Sequence, residues 1–328
     1  MPLNSSAESI IAANLADTDI KQTALFEIRL AHIRELAHHI VSTTTEPGAS
    51  PSVREYWGGI LTKDMLSGAW ASARTARTDR ALALNTASLL SLYGNLDVLS
   101  RALLCREILA CLKSRYGDDY SPIDFLQTDE DIPQNARGRI SYVENTYTDT
   151  AFSAASVFIN GSSPSFAQSY AHSCDEVNSG HCEFCLLPIE NASDGKLIGF
   201  YSLIDKYDLK ITLALNISVT DGGAVTRFAL CRRSISGEIH SFTRGNGQSF
   251  IEIRILPGDD CPVGDILTAA ASLGLMLRRI DSMPLGYTDS EFAFNLVFRT
   301  DGAELASFLA FLSIWAPHYI PVGYYKVL

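Results

Sequence analysis

Near residue 138 the apolar residues change their period, and that change constrains the architecture of this 328-residue chain more than any other feature. Before it, over 7–116, apolar positions recur at helical spacing. In Ala24–Ile40, Leu25, Ile28, Ile33, Leu36, Ala37 and Ile40 make a stripe opposite Glu27, Arg34 and His38. Pro47, Gly48 and Pro51 then break the helix. Helical spacing resumes over 60–93, and Leu96–Tyr116 reads as the strongest helix, with Gly117 in its C′ place. The acidic, proline-containing stretch 117–137 reads as a linker. After it, strands at Arg139–Val143, Glu183–Ile189 and Leu209–Val219 alternate with helices at Ala151–Phe158 and Lys196–Tyr207. That alternation predicts a parallel or mixed sheet with helical crossovers.

The last hundred residues repeat the alternation with another spacing. Strands are expected at Gln248–Ile255, Leu275–Asp281, Phe292–Arg299 and His318–Tyr325, with helices at Pro262–Leu273 and Gly302–Leu312. The order is β-α-β-β-α-β, which is ferredoxin-like. Many functions share that fold, so it names none. The expected fold class is a multi-domain α plus α/β protein: a helical domain over 1–116, the linker, an α/β domain over 138–234 and a ferredoxin-like domain over 235–328.

Composition excludes several classes. Lys and Arg number 26 against 37 Asp and Glu, giving a net charge of −11. Phosphate-backbone binding needs clustered cations, so nucleic acid is not an expected partner. The apolar runs Ala81–Leu90 and Phe308–Ala316 fall short of the roughly 18 residues of a membrane span. The N-terminus has no basic segment ahead of its apolar residues, which argues against a signal peptide. Seven cysteines are an odd number in a chain large enough to fold without disulfides, so reduced thiols and a cytoplasmic location are expected.

Five ordered segments carry a resemblance. These are ISYVENTYTDTAFSAA (140–155), the Pro188-Ile189-Glu190-Asn191 run within 185–211, VTRF (225–228), LGLMLRRIDSMP (273–284) and VGYY (322–325). Together they resemble the prephenate dehydratase family followed by its ACT domain. LSRALLCREILACL (99–112) and IRELAHHI (33–40) are similar to helices of the chorismate mutase domain that precedes the dehydratase in bifunctional members. Ala16, Ile33 and Thr44 fall where that domain places its substrate-clamping cations, so the resemblance does not extend to mutase chemistry.

The resemblance implies a carbon–oxygen lyase of phenylalanine biosynthesis. Prephenate, or a related cyclohexadienyl acid, would lose carbon dioxide and a hydroxyl group, with aromatisation driving the step. Such an enzyme needs a proton donor for the leaving hydroxyl and anchors for two carboxylates. By resemblance the donor is Thr226, and Asn191, Glu190 and Arg227 complete the catalytic set, with Arg227 free to orient the site or pair with Glu190. Thr148, Thr150 and Ser193 would hold substrate polar groups. Gly264, Asp281 and Ser282 fall in the segments that bind phenylalanine as a regulatory ligand. A homodimer is expected, and no cofactor is. Departures accompany the matches. Glu144 and Asn145 replace a Gly-Pro, Ala192 replaces a serine, Met283 replaces an arginine, and Asp265 stands where an apolar residue is usual. Only TDGGAV (220–225) separates the strand 209–219 from Thr226, where family members insert a second subdomain. The dehydratase domain is therefore expected to be truncated.

Plainer readings stand beside these. Glu190 and Asn191 could cap the helix that follows, and Thr226 could be an ordinary strand residue. Cys182-x-x-Cys185, near His172, Cys174 and His181, has zinc-ligand spacing. However, Cys185 opens the apolar run CLLPI and the second cysteine pair is missing, so core thiols are expected and no metal. GNG (245–247) reads as a turn. The alternative function is a catalytically degenerate regulatory or partner protein that uses its ACT-like half for dimerisation or aromatic amino acid sensing.

Overall fold

A computed structural model describes residues 5–44, 96–116, 121–126, 132–218, 224–235, 247–256, 261–284, 292–316 and 318–328. The helical spacing expected over 60–93 and the GNG turn, apart from Gly247, lie outside these residues. The described chain divides near residue 120 into a helical unit and a sheet-containing unit. In the helical unit, α1 (Ser5–Thr44) and α2 (Val98–Tyr116) pack together. The buried stripe of α1 is Leu30, Ile33, Ala37 and Val41, whereas Leu25 and Ile28 are exposed. Of the expected stripe, Ile33 and Ala37 are buried, whereas its first two members are not. No described helix is long and apolar enough to cross a membrane.

The second unit begins with α3 (Pro122–Leu126), inside the expected linker. Its Phe125 and Leu126 are buried, so these apolar residues serve as packing. Then follow β1 (Arg139–Tyr142), α4 (Thr146–Ser156), β2 (Ser163–Phe166), α5 (Tyr170–Asn178), β3 (Phe184–Asn191), β4 (Gly195–Lys196), α6 (Ile198–Lys206), β5 (Lys210–Ile217) and β6 (Thr226–Arg232). The chain continues through β7 (Gln248–Ile255), α7 (Val263–Ser272), β8 (Met276–Pro284), β9 (Phe292–Arg299), α8 (Leu305–Trp315) and β10 (Ile320–Val327). These last six elements follow the β-α-β-β-α-β order read from the periodicity.

All the described strands join one sheet, ordered β2-β1-β3-β6-β5-β10-β7-β9-β8, with β4 paired to β3. The boundary expected at 234–235 does not interrupt it, because β10 pairs in parallel with β5. β3 lies between β1 and β6 and reads FCLLPI in its buried part, a continuous apolar run covered on both faces. Pro188, which cannot donate to a ladder, stands at the register shift of β3 against β6. One face carries α4, whose Ala151 and Ala155 pack on Ile140, Leu186 and Leu213. The other carries α5 and α6, whose Cys174, Val177, Tyr201 and Ile204 pack on Leu187, Ile211 and Ala229.

That placement follows from connection handedness. The chain steps from β1 to β2 on one side, then returns past β1 to β3, so right-handed crossovers put α4 and α5 on opposite faces. In open α/β sheets ligands bind outside the carboxyl ends of the strands where the strand order reverses, which here is between β1 and β3. β1 pairs with β3 only at Ile140–Phe184 and Ser141–Cys185, so the last six residues of β3 run on beyond it.

Candidate functional site

The end of β3 brings the two expected motifs together. Asn191 lies opposite Thr226, and Glu190 opposite Arg227, on antiparallel β3 and β6. Asn216 of β5 continues the Arg227 row. Arg227 Nη1 is 2.6 Å from Glu190 Oε2, and its Nε–H donates to Asn216 Oδ1 at 3.0 Å. The ion pair that Arg227 could form with Glu190 is therefore present, extended across three strands. The Thr226 hydroxyl makes no hydrogen bond among the described residues.

Neither Glu190 nor Asn191 caps a helix. The N-cap of α6 is Leu197, which makes no side-chain cap bond. Asn191 closes the β3–β4 hairpin instead. Its Oδ1 accepts from the Asp194 N–H at 2.5 Å and from the Ser193 hydroxyl at 3.2 Å, while its Nδ2 donates to Asp194 Oδ2 at 2.8 Å. Gly195 takes φ of 68°, the left-handed conformation this turn requires of it. Lys196, expected to begin a helix, is the strand residue opposite Glu190.

The first turn of α4 sits at the carboxyl end of β1. Asn145 is its N-cap, accepting from the N–H groups of Tyr147 and Thr148, while Thr148 Oγ1 accepts from the Asn145 N–H. The Thr148 hydroxyl donates to the Val143 carbonyl at 2.5 Å, and the residue is wholly buried. Thr150 is exposed, and its hydroxyl donates to the Thr146 carbonyl at 2.8 Å. Asn145, one of the two residues that stand where the resemblance expects Gly-Pro, thus builds a capping box with Thr148.

At the other end of the chain, Gly264 opens α7 and Ser282 lies near the end of β8, both exposed. Register across β7, β9 and β8 aligns Ile255, Phe294 and Ser282, which sets Ser282 level with the last residue of β7. Asp281 does not face outward with them. Its carboxylate lies 2.8 Å from Lys196 Nζ and 3.0 Å from Arg279 Nε.

This reveals a cluster that sequence reading missed. Glu252 of β7 is fully buried and accepts from the Tyr325 hydroxyl at 3.2 Å and the Tyr201 hydroxyl at 3.4 Å. Lys196 Nζ lies 3.6 Å from its other oxygen and 3.7 Å over the Tyr201 ring. Arg279 Nη1 reaches Glu190 Oε2 at 3.5 Å. Burial pushes the Glu252 carboxyl above its ordinary range, against the pull of Lys196 and Arg279. Tyr201 and Tyr325 are held well above the usual phenol range, first by burial and then by Glu252. A hairpin signal was available in Asp194-Gly195 immediately before Lys196, but the partners lie 56 to 85 residues away in sequence.

The cysteines with zinc-ligand spacing, and Cys174 near them, are core residues. Cys174 and Cys185 are wholly buried, and Cys185 is the register partner of Cys231. Contact with Cys185, then burial, pushes the Cys174 thiol far up. Cys182 directs its thiol at Glu176, 3.7 Å away.

No protein-family model and no curated protein matches the chain. Among solved structures it is similar to the prephenate dehydratase of Streptococcus mutans, at 20% identity and a TM-score of 0.47, over 58% of this chain and 98% of that one. It is similar at 21% identity and a TM-score of 0.43 to GqqA, a quorum-quenching acylase, over 57% and 94%. A prephenate dehydratase of Arthrobacter aurescens solved with L-Phe gives 16% identity and a TM-score of 0.43, over 57% and 90%.

Proposed function

We propose that the chain is a prephenate dehydratase-like lyase acting on prephenate or a related cyclohexadienyl acid. The observation that carries this reading is the register of β3 and β6. It sets Thr226 beside Asn191 and Arg227 beside Glu190, on the part of β3 that runs on beyond β1. The reaction consumes one proton and releases water and carbon dioxide as the ring becomes aromatic. A hydroxyl with no competing bond, such as that of Thr226, is suited to hydrogen-bond the leaving hydroxyl. Arg227, with a third of its side chain exposed, offers positive charge for a substrate carboxylate. Turnover of prephenate, followed as phenylpyruvate formation with and without phenylalanine, tests the reading. Turnover above the acid-catalysed background that falls at least about a hundredfold in Thr226→Ala supports it. No turnover by folded protein overturns it, and turnover undiminished in Thr226→Ala removes Thr226 from the mechanism.

One observation favours a second reading, a non-catalytic regulatory or partner protein of the same pathway. The polar groups of Thr148, Asn191 and Ser193 are engaged within their own turns. Under this reading Gly264 and Ser282 would meet phenylalanine at a homodimer interface. Calorimetric binding of phenylalanine without prephenate turnover is its expected signature.

A further inference from the structure

Six strand-to-strand steps separate β3 from β8 in the sheet order. At about 4.8 Å each, a flat sheet would hold them roughly 29 Å apart. Yet Arg279 of β8 lies 3.5 Å from Glu190 of β3, and Asp281 of β8 lies 2.8 Å from Lys196 of β4. The sheet therefore turns back over α6, using the twist that accumulates from strand to strand. Its two ends meet through side chains and not through a backbone ladder.

The face that closes this turn is polar. Arg254, Asn295 and Asp281 form one register row across β7, β9 and β8, and Glu252, Val297 and Arg279 form the next. Arg254 bonds Asp205 of α6, and Glu252 accepts from Tyr201 of α6. Lys196, with only 10% of its side chain exposed, stands at the centre. The strand it belongs to is short: β4 is two residues long and pairs only Lys196 with Glu190 and Gly195 with Asn191.

We infer that Lys196 and Asp281 form a clasp by which the ferredoxin-like half sets the position of the β3–β4 hairpin, and with it Glu190 and Asn191. Its consequence for catalysis rests on the proposed function, but its existence does not. Asp281 falls where the resemblance expects a regulatory ligand to be bound. Its carboxylate is committed to Lys196 and Arg279, so β8 acts on the site by holding the hairpin. Both members are positioning residues. Lys196 has 10% of its side chain exposed and lies 2.8 Å from the Asp281 carboxylate, so removing either charge disturbs a pair that water reaches poorly.

Amide hydrogen exchange on the full chain tests the clasp. The reporters are Ala192, whose N–H donates to Val225, Asp194, whose N–H donates to Asn191, and Leu197, whose N–H donates to Ile189. Exchange at these amides is expected to quicken at least about tenfold in Asp281→Asn and in Lys196→Met. The double variant is expected to exchange no faster than Lys196→Met alone. Should Lys196→Met fail to fold, the isosteric Asp281→Asn carries the test. Wild-type exchange at the hairpin with faster exchange confined to β8, or additive effects in the double variant, overturns the clasp. A responding hairpin in a chain that does not turn over prephenate leaves the clasp standing and removes the dehydratase. Turnover with an unresponsive hairpin does the reverse.

Discussion

Gly323 packs against Ile211 so closely that a side chain cannot be added. A Cβ on Gly323 would lie 2.6 Å from the Ile211 carbonyl oxygen and 2.7 Å from its Cβ. This contact lies on the parallel seam of β5 and β10, which continues the first five strands into the ferredoxin-like half. The glycine of VGYY thus has a steric reason independent of any ligand. Gly323→Ala forces both strands to shift, and overpacking of this kind costs about 1–3 kcal/mol. The expected result is a lower denaturation midpoint by chemical unfolding, with exchange accelerating first in β5 and β10.

Much of the C-terminal part was legible because strands such as β7 and β9 and the apolar helix α8 bury residues whose pattern shows in the sequence. Phe292–Arg299 has the strand bounds expected, and Phe298 packs edge-on against Phe308 of α8. What escaped notice had no such pattern. β2 reads Ser-Pro-Ser-Phe at a sheet edge with alternating exposure and no β-branched residue, and α5 is nine residues of mostly polar sequence. Within the candidate site, the register of Asn191 with Thr226 made sense of two separate motifs, whereas the Lys196–Glu252–Asp281 cluster is assembled by the turning of the sheet. No local spacing encodes it.

Asn145 illustrates how a departure from a family pattern can be structural. Its side chain accepts two of the orphan N–H groups of α4, and Thr148 returns the bond. Asn145→Ala is expected to lower stability by about 1 kcal/mol, and Asn145→Ser by much less, because serine caps nearly as well. Equal losses in the two variants, measured by urea unfolding, would remove the cap as the cause.

Glu252 ties stability to pH with a definite sign. Its folded carboxyl is raised above the ordinary 4.5, first by burial, while Lys196, Arg279 and the Tyr325 hydroxyl lower it and Asp281 raises it. The folded state therefore holds this proton more tightly than the unfolded chain. Glu252 contributes its full stability below pH 4.5 and loses it as pH rises through the folded value. Glu252→Gln keeps acceptors for Tyr201 and Tyr325 but does not titrate. The stability difference between wild type and variant is expected to move in the variant's favour as pH rises, by about 1.4 kcal/mol for each unit of upward displacement. A difference constant from pH 4 to 8 contradicts this account.

Two ion pairs of the sheet predict unequal costs. Arg227–Glu190 has side chains 34% and 30% exposed, and pairs of that kind contribute about 1 kcal/mol or less. Arg232–Glu183, at 3.2 Å, has side chains only 7% and 12% exposed. Its guanidinium carbon lies 5.6 Å from the centre of the Phe184 ring, and Glu183 also accepts from the Gly138 N–H at 2.8 Å. Gly138 has φ of 72°, and a Cβ there would meet the Gly161 carbonyl at 2.8 Å, so the backbone has little room to seek another partner. Glu183→Gln removes a carboxylate held 3.2 Å from a buried guanidinium and is expected to cost about 3 kcal/mol, several times the cost of Glu190→Gln. Paired unfolding curves at neutral pH and moderate salt read the contrast directly. Added salt is expected to shrink the Glu190 effect and leave the Glu183 effect nearly unchanged, since a buried pair is screened much less than an exposed one. Equal costs for the two substitutions would mean that burial does not set the strength of these pairs.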